Sequence, residues 1–178
     1  DIVYVDTGVY TGSLGRVEIG QLDGGSVATS TTVIICGSTN YGYGGTVLDA
    51  AGSGYGLQLR QVAAVELRNL KVQNVATTAV QFTEAYGCVA EWLIVSNVPT
   101  AFGLRLSGET RFEHCTAIGA SAYGLRNVIS SNTVWESGVL WSNRTGIYLA
   151  GEDAYPTMLG SVFVSNSVVA SFGSNSFV

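Results

Sequence analysis

The 178-residue chain is short of charge. Only 12% of its residues are charged, Lys71 is the one lysine, and 13 acidic residues outnumber 8 basic ones, for a net charge of −5. That balance removes nucleic acid and anionic membrane surfaces from the expected partners, because both are met with clustered positive charge. There is one histidine, His114, and no Cys-x-x-Cys spacing, so no metal site and no cofactor are expected. No apolar run approaches the roughly 18 residues of a membrane span, which argues against insertion. No basic-then-apolar leader opens the chain, so any signal sequence is expected to lie upstream or to have been removed. Apolar residues nowhere recur at i, i+3, i+4 and i+7 over three turns, so helical and leucine-rich repeats fit poorly. There are only 2 prolines, against 23 glycines.

What the chain does have is repetition. "YGLQLR" at 55–60 returns as "FGLRLS" at 102–107, "YGLRNV" at 123–128 and "TGIYLA" at 145–150, with "TAVQF" at 78–82 filling the gap. The small residues Gly56, Ala79, Gly103, Gly124 and Gly146 are then 23, 24, 21 and 22 residues apart. A second lane runs through the asparagines that close apolar runs, Asn74, Asn97, Asn143 and Asn166, at steps of 23, 46 and 23, with the missing member near Gly119. Two lanes sharing one period define a solenoid whose rungs touch only their neighbours.

Within each rung the side chains alternate with period two, which is strand spacing. Leu57 and Leu59 flank Gln58, Val80 and Phe82 flank Gln81, Leu104 and Leu106 flank Arg105, and Ile147 and Leu149 flank Tyr148. A second apolar pair follows, as in Leu70 and Val72, Leu93 and Val95, or Val162 and Val164. The expected fold is all-β, a coil of short parallel strands about 4.8 Å apart. Residues 1–178 read as a single domain, with irregular entrance rungs over 1–54 and regular rungs of about 21–24 residues over 55–178. "CGSTNYGYGGT" at 36–46 reads as a loop leaving the coil, and "SGETR" at 107–111 and "GEDAYPT" at 151–157 as small insertions, the places where a ligand would be met. Counted from the asparagine corners, Cys88 and Cys115 stand about 16 Å apart along the strand direction, too far for a disulfide. Those two and Cys36 read as buried free thiols.

The rung pattern, together with "DIVYVDTGVYTG", "TTVIICG", "GTVLDAAGSGYGLQL" and "VELRNLKVQNV" in that order, resembles the right-handed parallel β-helix of the pectin-lyase-like superfamily, as found in secreted bacterial surface proteins. The resemblance spans the whole chain and implies a right-handed parallel β-helix and an extracellular or cell-surface location. It is nearly silent on activity, because that superfamily includes lyases, hydrolases, tailspikes, adhesins and structural stalks. Its lyases resemble a calcium site of stacked aspartates beside an arginine base, and its hydrolases an aspartate cluster with a histidine nearby. Here the aspartates are Asp1, Asp6, Asp23, Asp49 and Asp153, and none falls in the outward strip of the regular rungs. Adjacent Glu152 and Asp153 would point to opposite faces of a strand. No catalytic residue is therefore assigned.

Three features remain. The asparagine lane, Asn74, Asn97, Asn143 and Asn166, is expected to be a structural amide ladder, which would withdraw Asn143 from the glycosylation acceptor pattern "NRT". His114, in "FEHCT", is expected to be structural. The outward strip Gln58, Gln81, Arg105, Arg126 and Tyr148 suits a sugar chain, arginine meeting acidic groups and tyrosine a ring face, unless its arginines merely lean on Glu84 or Glu109. The reading is a non-enzymatic structural or adhesive β-helix with a glycan-contacting strip, whose open strand edges at the two ends would self-associate into a filament. The alternative is a lyase or hydrolase of acidic polysaccharide.

Overall fold

Apolar and polar residues alternate over three to six positions, three times in every rung, and each alternation forms a strand. The computed structural model describes residues 1–12, 17–26, 28, 31–40, 44–152 and 154–173. The strands come in consecutive triplets. The first is β1 (Ile2–Val5), β2 (Gly8–Thr11) and β3 (Val17–Ile19), followed by β4 (Val33–Gly37), β5 (Thr46–Asp49) and β6 (Tyr55–Arg60). Then come β7 (Val65–Arg68), β8 (Leu70–Gln73) and β9 (Thr78–Thr83), and β10 (Val89–Glu91), β11 (Ile94–Ser96) and β12 (Thr100–Arg105). The last are β13 (Arg111–Glu113), β14 (Thr116–Ile118) and β15 (Tyr123–Val128); β16 (Val134–Glu136), β17 (Val139–Trp141) and β18 (Thr145–Ala150); and β19 (Thr157–Leu159), β20 (Val162–Val164) and β21 (Val168–Phe172). Every strand pairs in parallel with its equivalent one triplet along, so the chain winds into three seven-stranded sheets around one core. The fold is a parallel β-helix of about 23 residues per rung.

The observed register is more even than the repeated phrase. In the third sheet Leu57, Val80, Phe102, Leu125 and Ile147 are partners, at steps of 23, 22, 23 and 22 residues. The crowded small-residue lane is therefore Gly56, Ala79, Ala101, Gly124 and Gly146, and Gly103 does not belong to it. A Cβ on Gly56 would lie 2.4 Å from Val72 Cγ1, and one on Gly124 would lie 3.0 Å from Leu140 Cδ2, so the lane is kept small by the second sheet's core side chains. The inward pair of β12 is Phe102 and Leu104, with Leu106 outside the core at 38% exposure. In β20 Phe163 faces inward opposite Leu140, and Val162 and Val164 face out.

The two expected insertions are ordinary corners. Gly108 bridges both Tyr86 and Ser131, and Val134 pairs with Thr157, 23 residues on. No loop projects at either place, although Asp153 lies outside the described residues. The entrance strands already hold the register of the coil. Their rungs are lengthened, since Ile2, Ile34 and Glu66 pair at steps of 32 residues. The expected early loop begins after Gly37, which ends β4, and residues 41–43 within it lie outside the described residues.

Three corners per rung are turned by single residues in the left-handed region. One corner lane is Gln61, Glu84, Leu106, Ile129 and Gly151; another is Asn69, Trp92, His114, Ser137 and Gly160; a third is Asn74, Asn97, Gly119, Ser142 and Ser165. The non-glycine members all have φ between 50 and 55°. Such a residue costs about 1–2 kcal/mol, more for a β-branched one such as Ile129. The opposing force is the ladder, which continues round the bend. Gln61, Glu84, Leu106 and Ile129 each donate a backbone N–H to the next rung's carbonyl, at 2.9–3.2 Å.

Inside, Phe82, Phe102, Phe112 and Trp135 form an edge-to-face and tilted stack with ring centroids 5.1–5.5 Å apart, joining the third sheet to the first. Asn127 interrupts the aliphatic lane of Leu59, Phe82, Leu104 and Leu149, and its Nδ2 donates to Ser130 O at 3.1 Å. In the same rung Asn127 Oδ1, Thr133 Oγ1 and Trp135 Nε1 are buried without a protein partner.

The register makes a paired prediction. Leu104→Asp buries an unpaired carboxylate and should lose roughly 4 kcal/mol or more. Leu106→Asp, at an exposed left-handed corner, should change stability by less than about 1 kcal/mol. Urea denaturation of the two variants checks this, and equal losses would overturn the register.

Candidate functional site

The outer face of the third sheet carries two lanes of side chains. Strand pairing places Gln58, Gln81, Gly103, Arg126, Tyr148 and Ser171 in one, and Arg60, Thr83, Arg105, Val128 and Ala150 in the other. Arg105 therefore does not stack on Arg126, as the sequence suggested. It is that residue's diagonal neighbour, and diagonal positions across parallel strands are about 7–8 Å apart, which relieves like-charge repulsion. Gly103 takes the place between Gln81 and Arg126. With no side chain there, Gln81 folds down, its Nε2 donating to Phe82 O at 2.9 Å and Thr83 Oγ1 at 3.3 Å, and its Oε1 fills the space a Cβ on Gly103 would need. Gln81 is a buried floor, not a projecting contact.

Over this floor lies an open depression of about 410 Å³, lined by Tyr55, Thr78, Gln81, Thr83, Arg105 and Arg126 among others. A second, of about 200 Å³, follows along the same face between Tyr123, Arg144, Thr145, Tyr148 and Ser171. Arg126 links the two. Its guanidinium carbon is 5.9 Å from the Tyr148 ring centroid, and Tyr148 rests against Tyr123 at 4.8 Å. Among the described residues no carboxylate lines either depression.

Ionic pairing is concentrated on another face. On the first sheet Arg68 bridges Glu66 and Glu91, and Arg111 bridges Glu113 and Glu136. Arg105, Arg126 and Arg144 make no ion pair among the described residues. The carboxylate expected to neutralise the strip, Glu84, accepts a hydrogen bond from Gln61 Nε2 at 3.0 Å instead. Exposed arginines without carboxylates keep their planar donor forks available for an anionic ligand.

The asparagine lane divides in two. Asn143 and Asn166 form a ladder with Ala120: Asn143 Oδ1 accepts from Ala120 N at 2.9 Å, and Asn166 Oδ1 accepts from Asn143 N and Nδ2, both at 3.0 Å. Asn143 is 1% exposed, so its amide is unavailable for glycosylation. Asn74 and Asn97 stand one position earlier, exposed, at the left-handed corner shared with Gly119 and Ser142. Asn74 Nδ2 donates to Asp49 Oδ2, and together with Gln73 and the Ala51 N–H it helps hold the Asp49 carboxyl below its ordinary range, Gln73 contributing most.

His114 sits at a corner and stacks on Trp92 with centroids 4.2 Å apart. The cysteines are free, and burial pushes the Cys88 thiol up to about 11 and the Cys115 thiol to about 12. No group of three or more His, Cys, Asp or Glu side chains could hold a metal among the described residues, and no helix is long and apolar enough to cross a membrane.

Sequence reasoning missed Arg144, Tyr123, Tyr55 and Thr78 as members of the face, and misplaced Arg105. The signal was present: "TAV" at 78–80 and "TAF" at 100–102 align the strands as they are, whereas the more conspicuous "GLR" at 103–105 and 124–126 is two residues out of register.

No protein-family model matches the chain, and no curated protein matches it significantly. Solved structures do. A Parabacteroides merdae protein, provisionally described as a glycosyl hydrolase, superposes with TM-score 0.60 at 10% identity, covering 98% of this chain and 84% of its own. The A-module of the Azotobacter vinelandii mannuronan C-5 epimerase AlgE4 gives 0.46 at 14% identity, over 93% of this chain and 60% of that one. The A-module of AlgE6 gives 0.42 at 13%, over 96% and 70%. The first likeness shows a shared fold: this chain is a parallel β-helix, similar in architecture to a protein whose description concerns carbohydrate.

The two asparagine roles separate experimentally. Asn74→Gly suits a left-handed corner and should shift stability by less than about 1 kcal/mol. Asn143→Gly strands buried groups of Ala120 and Asn166 and should cost roughly 2 kcal/mol or more. Similar denaturation midpoints for the two variants would count against the divided lane.

Proposed function

We propose that this β-helix holds an acidic polysaccharide against the outer face of its third sheet without cleaving it, as a rigid segment of an extracellular surface or filament protein. One observation carries the reading: Arg105, Arg126 and Arg144 are free of carboxylate partners and share one face with Tyr123 and Tyr148. In a chain of net charge −5, cations without partners on one sheet make a local attraction that the molecule as a whole lacks. Successive rungs lie about 4.8 Å apart, close to the length of one sugar ring, so a glycan extended along the coil axis would meet an arginine on each of three rungs. The tyrosines offer ring faces to the sugars. Holding is favoured over cleavage because acid–base chemistry on a glycosidic bond needs a positioned carboxylate pair, and the described lining of the two depressions supplies none.

The test is binding to polygalacturonate, with dextran as the neutral control. Wild type should bind the polyuronate and weaken as salt rises, and Arg105→Ala with Arg126→Ala should lower affinity about tenfold or more. Equal affinity for dextran, or an unaltered double variant, would refute the strip. Appearance of shortened or unsaturated oligosaccharides would replace the binding reading with the lyase or hydrolase one.

The filament part of the proposal is supported by the ends of the described coil. Val3 in β1 is 51% exposed and Phe172 in β21 is 52% exposed, although their rung equivalents Ile35 and Leu149 pack in the core. A further rung laid on either end would cover them. Sedimentation of the purified chain should show association growing with concentration, and a concentration-independent monomer would remove self-stacking from the proposal.

A further inference from the structure

A different pocket lies where the third sheet turns into the first. The outermost lane of that corner is Ala63, Tyr86, Gly108 and Ser131, linked by parallel bridges. Tyr86 is its one large side chain. Gly108, on the next rung, gives the ring a seat: a Cβ there would lie 3.1 Å from Tyr86 Cδ1 and 3.3 Å from Cε1, so a larger residue would push the ring away. The tyrosine remains 50% exposed, and its hydroxyl has no partner among the described residues. On the side of the preceding rung, Gly24 and Gly25 press against the backbone of Ala63 and Ala64, with Cβ positions 2.8 and 2.9 Å from the two carbonyl oxygens, and this close approach brings Gln21 over the corner.

The result is a depression of about 440 Å³ lined by Gln21, Gly25, Gln61, Ala63, Glu84 and Tyr86, with buried Val62 beneath. That size falls within the roughly 300–1,000 Å³ of small-molecule sites. Gln61 Nε2 donates to Glu84 Oε2 at 3.0 Å, which fixes the carboxylate and leaves its other oxygen as an acceptor. The chemistry differs from that of the arginine face, since no arginine or lysine lines the pocket and its one ionic group is a carboxylate. An acidic sugar would be repelled. A partly exposed aromatic ring beside an anchored carboxylate and two amides matches a hydroxyl-rich, uncharged ring with one apolar face.

We propose that this corner pocket binds a neutral sugar unit, its apolar face on Tyr86 and adjacent hydroxyls shared between Glu84 and the amides of Gln61 and Gln21. The site stands on its own observations and does not depend on the arginine face.

The experiment is an NMR titration of the isotopically labelled chain with glucose, galactose, mannose and N-acetylglucosamine, following the amides of Gln61, Glu84 and Tyr86. At least one sugar should give saturable shifts confined to this corner. Tyr86→Ala should weaken that binding about tenfold and Tyr86→Phe should largely retain it, while Glu84→Gln should weaken it about fivefold with the spectrum of the free protein otherwise unchanged. The Arg105→Ala, Arg126→Ala double variant should bind the sugar as wild type does, so failure here is distinguishable from failure of the polyuronate reading. No saturable shift with any of the four sugars, or equal affinity of Tyr86→Ala and wild type, would overturn the proposal.

Discussion

The parallel backbone ladder governs everything else in this molecule. Each residue lies about 4.8 Å from its equivalent on the next rung, so every lane must tolerate its own repetition. Apolar lanes do so at once, and the stacked core of Leu57, Val80, Phe102 and Leu125 is the outcome. Polar lanes need internal pairing, as in the Asn143 and Asn166 amides, where one side chain's oxygen accepts from the other's nitrogen. Charged lanes need opposite charges between them, and the first sheet supplies these by alternating Glu66, Arg68 and Glu91. The ladder also holds residues such as Trp92 and Ile129 in a backbone region that their side chains disfavour, because leaving it would break a hydrogen bond to the next rung.

Against that rule the third sheet is an exception. Its outer face keeps Arg105 and Arg126 close without an intervening carboxylate, and it does so by two displacements. The arginines sit on a diagonal, and Gly103 leaves the lane between them and Gln81 without a side chain. Tyr148 lies near Arg126 as a neutral cover. The face is polar and cationic without being internally satisfied, whereas the first sheet satisfies itself. The corner pocket at Tyr86 has the opposite polarity, with a single carboxylate anchored by an amide. The two surfaces, separated by one corner, are suited to different kinds of sugar.

The fold was legible because its cause is periodic. Inward pairs such as Leu57 and Leu59, or Ile147 and Leu149, have strand spacing, and their recurrence every 21–24 residues excludes most other architectures. The site was only partly legible, because a two-residue slip preserves inward and outward parity. The phrase "GLR" at 103–105 copies 124–126, so Arg105 was placed in the correct face and the wrong lane, and Leu106 was taken for core. A one-residue slip had a similar effect at the asparagines. Asn74 and Asn143 both close an apolar run, and only the observed register reveals that one turns the corner and the other fills it. Tyr86 could not be found from periodicity, because its value comes from a glycine one rung later and a loop folded back from residues 20–26.

The even length of the rungs also has a mechanical side. The interstrand hydrogen bonds run along the coil axis, while the covalent chain circles it. An end-to-end pull would therefore load the hydrogen bonds of one rung after another in series, and the covalent backbone would carry none of that tension until a rung had peeled away. Bending and compression meet the whole cross-section, including the Phe82, Phe102, Phe112 and Trp135 stack that ties the third sheet to the first. The coil is stiff as a strut and weak as a rope.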